Sequence, residues 1–191
     1  MNANNKRIIL ASASPRRREI LQSNGLEFEI RPADIDESAV RAPSPRMLVK
    51  RLSAAKARAE QQPDAAVIGA DTVVALRGKV YGKPCSYKDA EKILSRLCGR
   101  WHSVYTGVMV ICDGREICFS EKSKVKLKKL SVDEIRKYVD DVNPLDKAGA
   151  YGIQDGLIVE KYRGSYTNIV GLPMEKLAKV LAGFGVRNVN G

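Results

Sequence analysis

The segment Ser12-Ala13-Ser14-Pro15-Arg16-Arg17 follows the apolar run Ile8-Ile9-Leu10 and opens what reads as a helix. A helix start leaves backbone N–H groups unpaired and carries a partial positive charge, which suits an anion. Arg16 and Arg17 add forked donors matched to phosphate oxygens, and Ser12 and Ser14 add hydroxyls. Arginine in a first turn opposes the helix dipole, so Arg16, Arg17 and Arg18 in that place argue for a bound anion rather than a plain basic surface. A second segment, Val67-Ile68-Gly69-Ala70-Asp71-Thr72-Val73-Val74, sets an aspartate in an apolar strand. A carboxylate there is costly unless paired, hydrogen-bonded or metal-bound. Asp71 therefore reads either as a residue at a strand edge or bulge, or as a group that binds a divalent cation or takes a proton from water. Gly69 would permit close backbone approach.

Three weaker signals accompany these. Lys83, in Gly82-Lys83-Pro84, offers a compact positive charge. Asp36-Glu37 is a carboxylate pair of the kind that holds magnesium together with substrate phosphates, or a solvated acidic loop. Gly149-Ala150-Tyr151-Gly152-Ile153-Gln154 reads as a turn whose last residue has an amide able to read a base edge.

Elements to position these residues follow from the apolar periodicity. Ile8 to Leu10 reads as a short buried strand and Ser14-Pro15 as the cap and first residue of a helix ended by Gly25. Leu26 to Ile30 alternates like a strand, and Ile35 to Ala42 is a polar loop. Ser44-Pro45 starts a second helix, with Leu48, Leu52, Ala55 and Ala59 as its apolar face. Ala65 to Leu76 is the strongest strand, read as broken at Gly69 to Thr72, and Arg77-Gly78 turns it into Val80 and Tyr81. Ser86 caps a helix closed by Gly99. Val104 to Cys112 and Glu116 to Leu127 form a long antiparallel pair around Asp113-Gly114. Ser131 to Glu134 fits a capping box, Leu157 to Tyr162 a strand, and Pro173 to Phe184 a last helix. Met1 to Asn5 and the end after Gly185 are expected to fray. The whole reads as one α/β domain with a twisted mixed sheet and flanking helices.

The 191 residues suffice for a sizeable core, and no apolar run approaches the ~18 residues of a membrane span. Ile8 to Ala13 is too short for a signal-peptide core, so the expected compartment is the cytoplasm. Cys85, Cys98, Cys112 and Cys118 form no C-x-x-C pair, and with His102 the lone histidine they read as free thiols rather than a zinc site. The net charge of +11 points to an anionic partner without choosing among nucleic acid, lipid and phosphorylated small molecules. Aromatics, at 6%, are not interleaved with the basic residues, which speaks against single-strand stacking. Lys122, Lys124, Lys126 and Lys128 alternate with Val125 and Leu127 as on a strand with one solvated face.

Taken together, Ser12 to Arg17, Gly69 to Val74, Gly82-Lys83-Pro84, Leu145 to Gln154, and Gly164-Ser165-Tyr166 followed by Val170-Gly171-Leu172-Pro173 resemble the Maf family, in the family's order and over about Arg7 to Leu181. The resemblance implies an elongated sheet with two lobes around a central cleft. It also implies an enzyme that cuts nucleoside triphosphates between the alpha and beta phosphates, with a divalent cation, magnesium or manganese, as cofactor. The family's proton-accepting aspartate falls on Asp71, and its phosphate-binding and catalytic positions on Ser12, Arg16, Arg17, Glu37, Lys56 and Lys83. Glu37, with Asp71, is the implied metal ligand. Arg17, Thr72 and Gln154 match the branch that prefers dTTP and UTP, and Asp155 departs from it where glycine is common. A rival reading is a regulator without chemistry that binds nucleic acid or a division protein; another is an enzyme that clears modified nucleotides with the same site. Neither a nucleic-acid nor a membrane partner is expected. A homodimer is compatible with the sequence, though no exposed apolar stripe demands one.

Overall fold

The computed structural model describes residues 6–186. One seven-stranded mixed sheet runs through it in the order β2-β1-β3-β5-β6-β7, with β4 paired to β3. The strands are β1 (Arg7–Leu10), β2 (Glu29–Ile30), β3 (Ala65–Leu76), β4 (Lys79–Tyr81), β5 (Trp101–Cys112), β6 (Arg115–Leu127) and β7 (Val159–Arg163). The helices are α1 (Pro15–Ser23), α2 (Pro45–Ala59), α3 (Tyr87–Leu97), α4 (Val132–Val142), α5 (Tyr166–Val170) and α6 (Met174–Gly183). β1 pairs parallel with β2 and β3, and the other pairs are antiparallel.

Three strands of 12, 12 and 13 residues carry the sheet through two lobes. At the β1 end, Ile8, Leu10, Ile68, Val108 and Val110 face Leu21, Leu177 and Leu181 on one side of the sheet. On the other side, Ile9, Val67, Met109 and Ile111 face Ala54 and Ala57 of α2. At the far end, Val74, Val104, Val125 and Leu127 face Leu94 and Leu97 of α3 and Ile135 and Val139 of α4. Burial of these alternating aliphatic faces is the main stabilising term.

The cleft between the lobes is a gap in strand pairing. β5 occupies one edge of β3 from Val67 to Ala75. β1 takes the other edge at Ala65 to Ile68, and β4 takes that same edge at Val74 to Leu76. On that edge Gly69 to Val73 is left as a window between β1 and β4, and Asp71 and Thr72 lie at its centre.

Several expectations are corrected. β3 is not broken at Gly69 to Thr72 but continuous, because Gly69 serves packing and Asp71 has a buried partner. The β2 strand keeps only Glu29 and Ile30 of the expected Leu26 to Ile30, since Leu26 turns into the core. The polar loop holds a 3-10 turn at Glu37–Ala39, and β5 begins earlier, at Trp101. Ser14 makes no side-chain cap, whereas Ser44, Ser86 and Ser131 do. The buried residues of α2 are Val49, Leu52, Ser53, Ala54, Lys56 and Ala57, a face turned about one residue from the expected one; Leu48 and Ala55 are half-buried and Ala59 is exposed. Met1 to Asn5 and residues 187–191 lie outside the described residues, while Val186 is buried rather than frayed. The four cysteines are free, and the lysines of β6 line a solvated face as expected.

The rotation of α2 has a cause in two glycines. A Cβ on Gly69 would collide with Ser53 O and lie 2.6 Å from Ala57 N; one on Gly107 would collide with Val49 O and lie 2.8 Å from Lys50 N. Backbone rests on backbone at both points, so nothing flexible can yield. Gly107→Ala is therefore expected to cost about 1–3 kcal/mol by overpacking, read as a lower midpoint in denaturant unfolding. Gly183→Ala, whose added methyl meets nothing within 4 Å, is expected to leave the midpoint unchanged or slightly raised.

Candidate active site

Asp71 lies directly across from Gly107 on β5, on the face covered by α2. It is 7% exposed and accepts a hydrogen bond from Lys56 Nζ at 2.7 Å. The same ammonium lies 2.8 Å from Glu37 Oε1, so one buried lysine bridges two carboxylates. Burial pushes the Glu37 carboxyl up, but the hydrogen bond and charge of Lys56, with Lys83 and Arg17 behind it, hold it below the usual carboxylate range. Glu37 is presented by its 3-10 turn, which Asp36 starts by accepting from the Ser38 N–H at 2.9 Å and the Ser38 hydroxyl at 2.6 Å. Asp36 is spent on that turn and does not join Glu37 in the cleft, so the sequence pair is not a chelating pair.

Thr72 points to the opposite face of β3. Its Oγ1 lies 3.0 Å from Thr106 Oγ1 and accepts from an Arg17 NH2 group at 3.1 Å. Arg17 also donates to Ser12 Oγ at 2.8 Å and to the Gly171 carbonyl at 2.9 Å. Burial drives the Arg17 guanidinium below its ordinary value, and the charge of Asp71 partly offsets this. The expectation that both arginines extend forks toward an anion is thus corrected. Arg17 is turned inward and bonded to protein at all three nitrogens, because its position on α1 faces the sheet. Arg16 remains at the surface of the cleft and pairs with Asp146 at 2.6 Å, donating also to the Asp146 carbonyl at 2.9 Å. Arg16 and Lys147 outweigh burial and hold the Asp146 carboxyl below the usual range.

Ser12, Arg16, Arg17, Glu37, Lys56, Asp71, Thr72, Lys83 and Gln154 all line one cleft of about 640 Å³, within the usual size of a small-molecule site. Gln154 and Lys83 are exposed at its rim. Leu48, Leu52, Val73, Val80 and Ile153 supply apolar wall. Asp146 and Lys147, which belong to the Leu145 to Gln154 motif but to which the sequence assigns no role, also line it. Lys56 came from the resemblance alone, yet a signal existed: it stands seven residues after Val49 and four after Leu52, a lysine on the inward stripe of α2. Among the described residues no group of three or more His, Cys, Asp or Glu side chains is gathered as a metal site. The side chains of Glu37 and Asp71, beside a phosphate-sized cleft, nonetheless fit magnesium, which binds through one or two carboxylates plus substrate oxygens.

Comparison with known proteins agrees with this geometry. Proteins named dTTP/UTP pyrophosphatase from Moorella thermoacetica and Thermosipho africanus are 47% and 45% identical to the chain, covering 94% and 92% of it and 96% and 92% of the relatives. Among solved structures, the Ham1 protein of Staphylococcus aureus superposes with a TM-score of 0.53 at 20% identity, over 93% of this chain and 99% of that one, a likeness of fold. A family model described as Maf-like protein matches residues 7–184, and with it the chain belongs to the Maf family.

Proposed function

We propose that this protein hydrolyses nucleoside triphosphates, dTTP and UTP foremost, to the nucleoside monophosphate and pyrophosphate. The observation that carries the reading is the Lys56-bridged pair of Asp71 and Glu37, set in one cleft with Arg16 and Lys83. Carboxylates to handle a water proton and cations to hold phosphates are what cleavage of a phosphoanhydride requires. Relatives that carry the name dTTP/UTP pyrophosphatase support the substrate class, and none of them supports the reading as a regulator without chemistry. No helix among the described residues is long and apolar enough to cross a membrane, and a cytoplasmic enzyme is part of the same proposal.

In this reading water attacks the alpha phosphorus, its proton passes to Asp71, and pyrophosphate leaves with the bonding electrons. Lys56, bonded to its carboxylate, holds Asp71 aimed. Arg16 and Lys83 take up charge on the phosphates, Arg16 by exchanging its bond to Asp146 for phosphate oxygens. Ser12 donates to phosphate while its oxygen accepts from Arg17. Thr72, fixed by Arg17 and Thr106, and Gln154 face the base. Glu37 and Asp71 would hold a magnesium or manganese ion, which supplies charge neutralisation at the phosphates and acidifies bound water.

Asp71→Asn is expected to lower turnover by roughly 10²–10⁴-fold while nucleotide binding persists. Pyrophosphate release and titration calorimetry measure the two effects, and full activity in that variant would overturn the assignment. Chelation with EDTA is expected to abolish pyrophosphate release and added magnesium or manganese to restore it; release that survives chelation removes the cation from the scheme.

A further inference from the structure

The segment from Ala148 to Leu157 carries Gln154 to the cleft, and its backbone is tied down on both sides of that residue. Gly149 donates to the Gly82 carbonyl at 2.9 Å and rests on Val74, where a Cβ would come within 2.7 Å of Cγ2. The Tyr151 hydroxyl lies 2.7 Å from His102 Nε2, with the two rings edge-on. Nδ1 of that histidine lies 3.3 Å from the Arg100 carbonyl, which can only accept, so the proton sits on Nδ1 and Nε2 accepts from Tyr151. Burial lowers His102 to about 4, which keeps the ring neutral and this arrangement intact at neutral pH.

The other side is held from α4. Gly152 donates its N–H to the Tyr138 hydroxyl at 3.3 Å, and that hydroxyl donates to Asp155 Oδ2 at 2.7 Å. Asp155 Oδ1 accepts from the Leu157 N–H at 3.2 Å. Tyr138 is 4% exposed, belongs to the core of the far lobe and does not line the cleft. A buried hydroxyl is costly without partners. Both of its partners flank Gln154, two residues before it and one after. Gln154 itself has only a long contact, 3.5 Å, to Glu19. The backbone is fixed while the amide stays available.

We infer that Tyr138, through the Gly152 amide and Asp155, is a positioning residue for nucleobase selection by Gln154, with the His102–Tyr151 bond fixing the near side of the same segment. The inference rests on the proposed activity, and its assay separates the two. Tyr138→Phe removes one oxygen and keeps the ring in the core. Steady-state kinetics with UTP and CTP, and calorimetric binding of non-hydrolysable analogues of both, read the preference between bases. The variant is expected to fold cooperatively and to lose roughly five- to tenfold of the UTP preference, through KM rather than kcat. Asp155→Asn, whose single amide oxygen can still accept from Tyr138 but whose NH2 group then faces the Leu157 N–H, is expected to keep a larger share of the preference than Asp155→Ala. Asp155→Ala is expected to behave like Tyr138→Phe and carries the comparison should the latter fail to fold. In a Gln154→Ala background, Tyr138→Phe is expected to add nothing, the sign of coupled residues. An unchanged preference, an equal loss for both nucleotides, or the same further loss without Gln154 overturns the inference. Wild-type enzyme that releases no pyrophosphate from UTP or dTTP overturns the proposed activity instead, and the analogue binding ratios still decide the role of Tyr138.

Discussion

The direct contact of the α2 backbone with the sheet is the constraint on which the site depends. Gly69 and Gly107 remove the side chains that would otherwise hold the helix off β3 and β5. Helices packed through larger side chains stand farther from their partners. Gly107 is also the residue paired across from Asp71, so the space it vacates lies beside the carboxylate. From the closely seated helix Lys56 reaches Asp71 at 2.7 Å. A buried ion pair gains little net stability, because desolvation offsets its attraction. Its value here lies in geometry: it gives the carboxyl group at the window in β3 a fixed direction.

That window joins topology to electrostatics. β1 and β4 share one edge of β3 without meeting, and the connections at their ends bring cations to the gap: Arg16 from the start of α1 after β1, Lys83 from the segment after β4. The charged residues around the cleft are Arg16, Arg17, Lys56, Lys83 and Lys147 against Glu37, Asp71 and Asp146. The positive surplus suits a polyanion, while Glu37 and Asp71 are drawn together by one ammonium at the window. A uniformly basic pocket would bind phosphates and offer no base.

Much of this was legible in the sequence. The helix starts at Ser44, Ser86 and Ser131, the start of α1 at Pro15 and the long β5–β6 pair follow from local rules. What escaped was decided by tertiary contacts. Gly69 and Asp71 resemble strand breakers when β3 is read alone; only α2 explains both, one by contact and one by charge. The inward stripe of α2 was misplaced because leucines outrank small residues in a periodicity reading, whereas a glycine-paved sheet accepts serine, alanine and backbone. Leu48 serves the cleft wall instead, and Leu52 serves both the buried face and the wall. Asp36 beside Glu37 looked like a chelating pair because the sequence does not show that a 3-10 turn consumes the first carboxylate.

Adjacent arginines that looked alike in the sequence are separated by the geometry of the helix that bears them. Successive residues on an α-helix point about 100° apart. Arg17 therefore faces the sheet, where Ser12, Thr72 and the Gly171 carbonyl take its donors and tie α1 to β3 and to the end of α5. Those partners are buried or half-buried, and breaking them would strand a guanidinium out of water. Arg16 points along the cleft to Asp146, whose side chain is 53% exposed. A pair open to solvent is worth little and can be exchanged cheaply. One arginine is thus a fixed strut under the threonine proposed to face the base, and its neighbour, held only by an exposed pair, is the donor proposed to follow a phosphate.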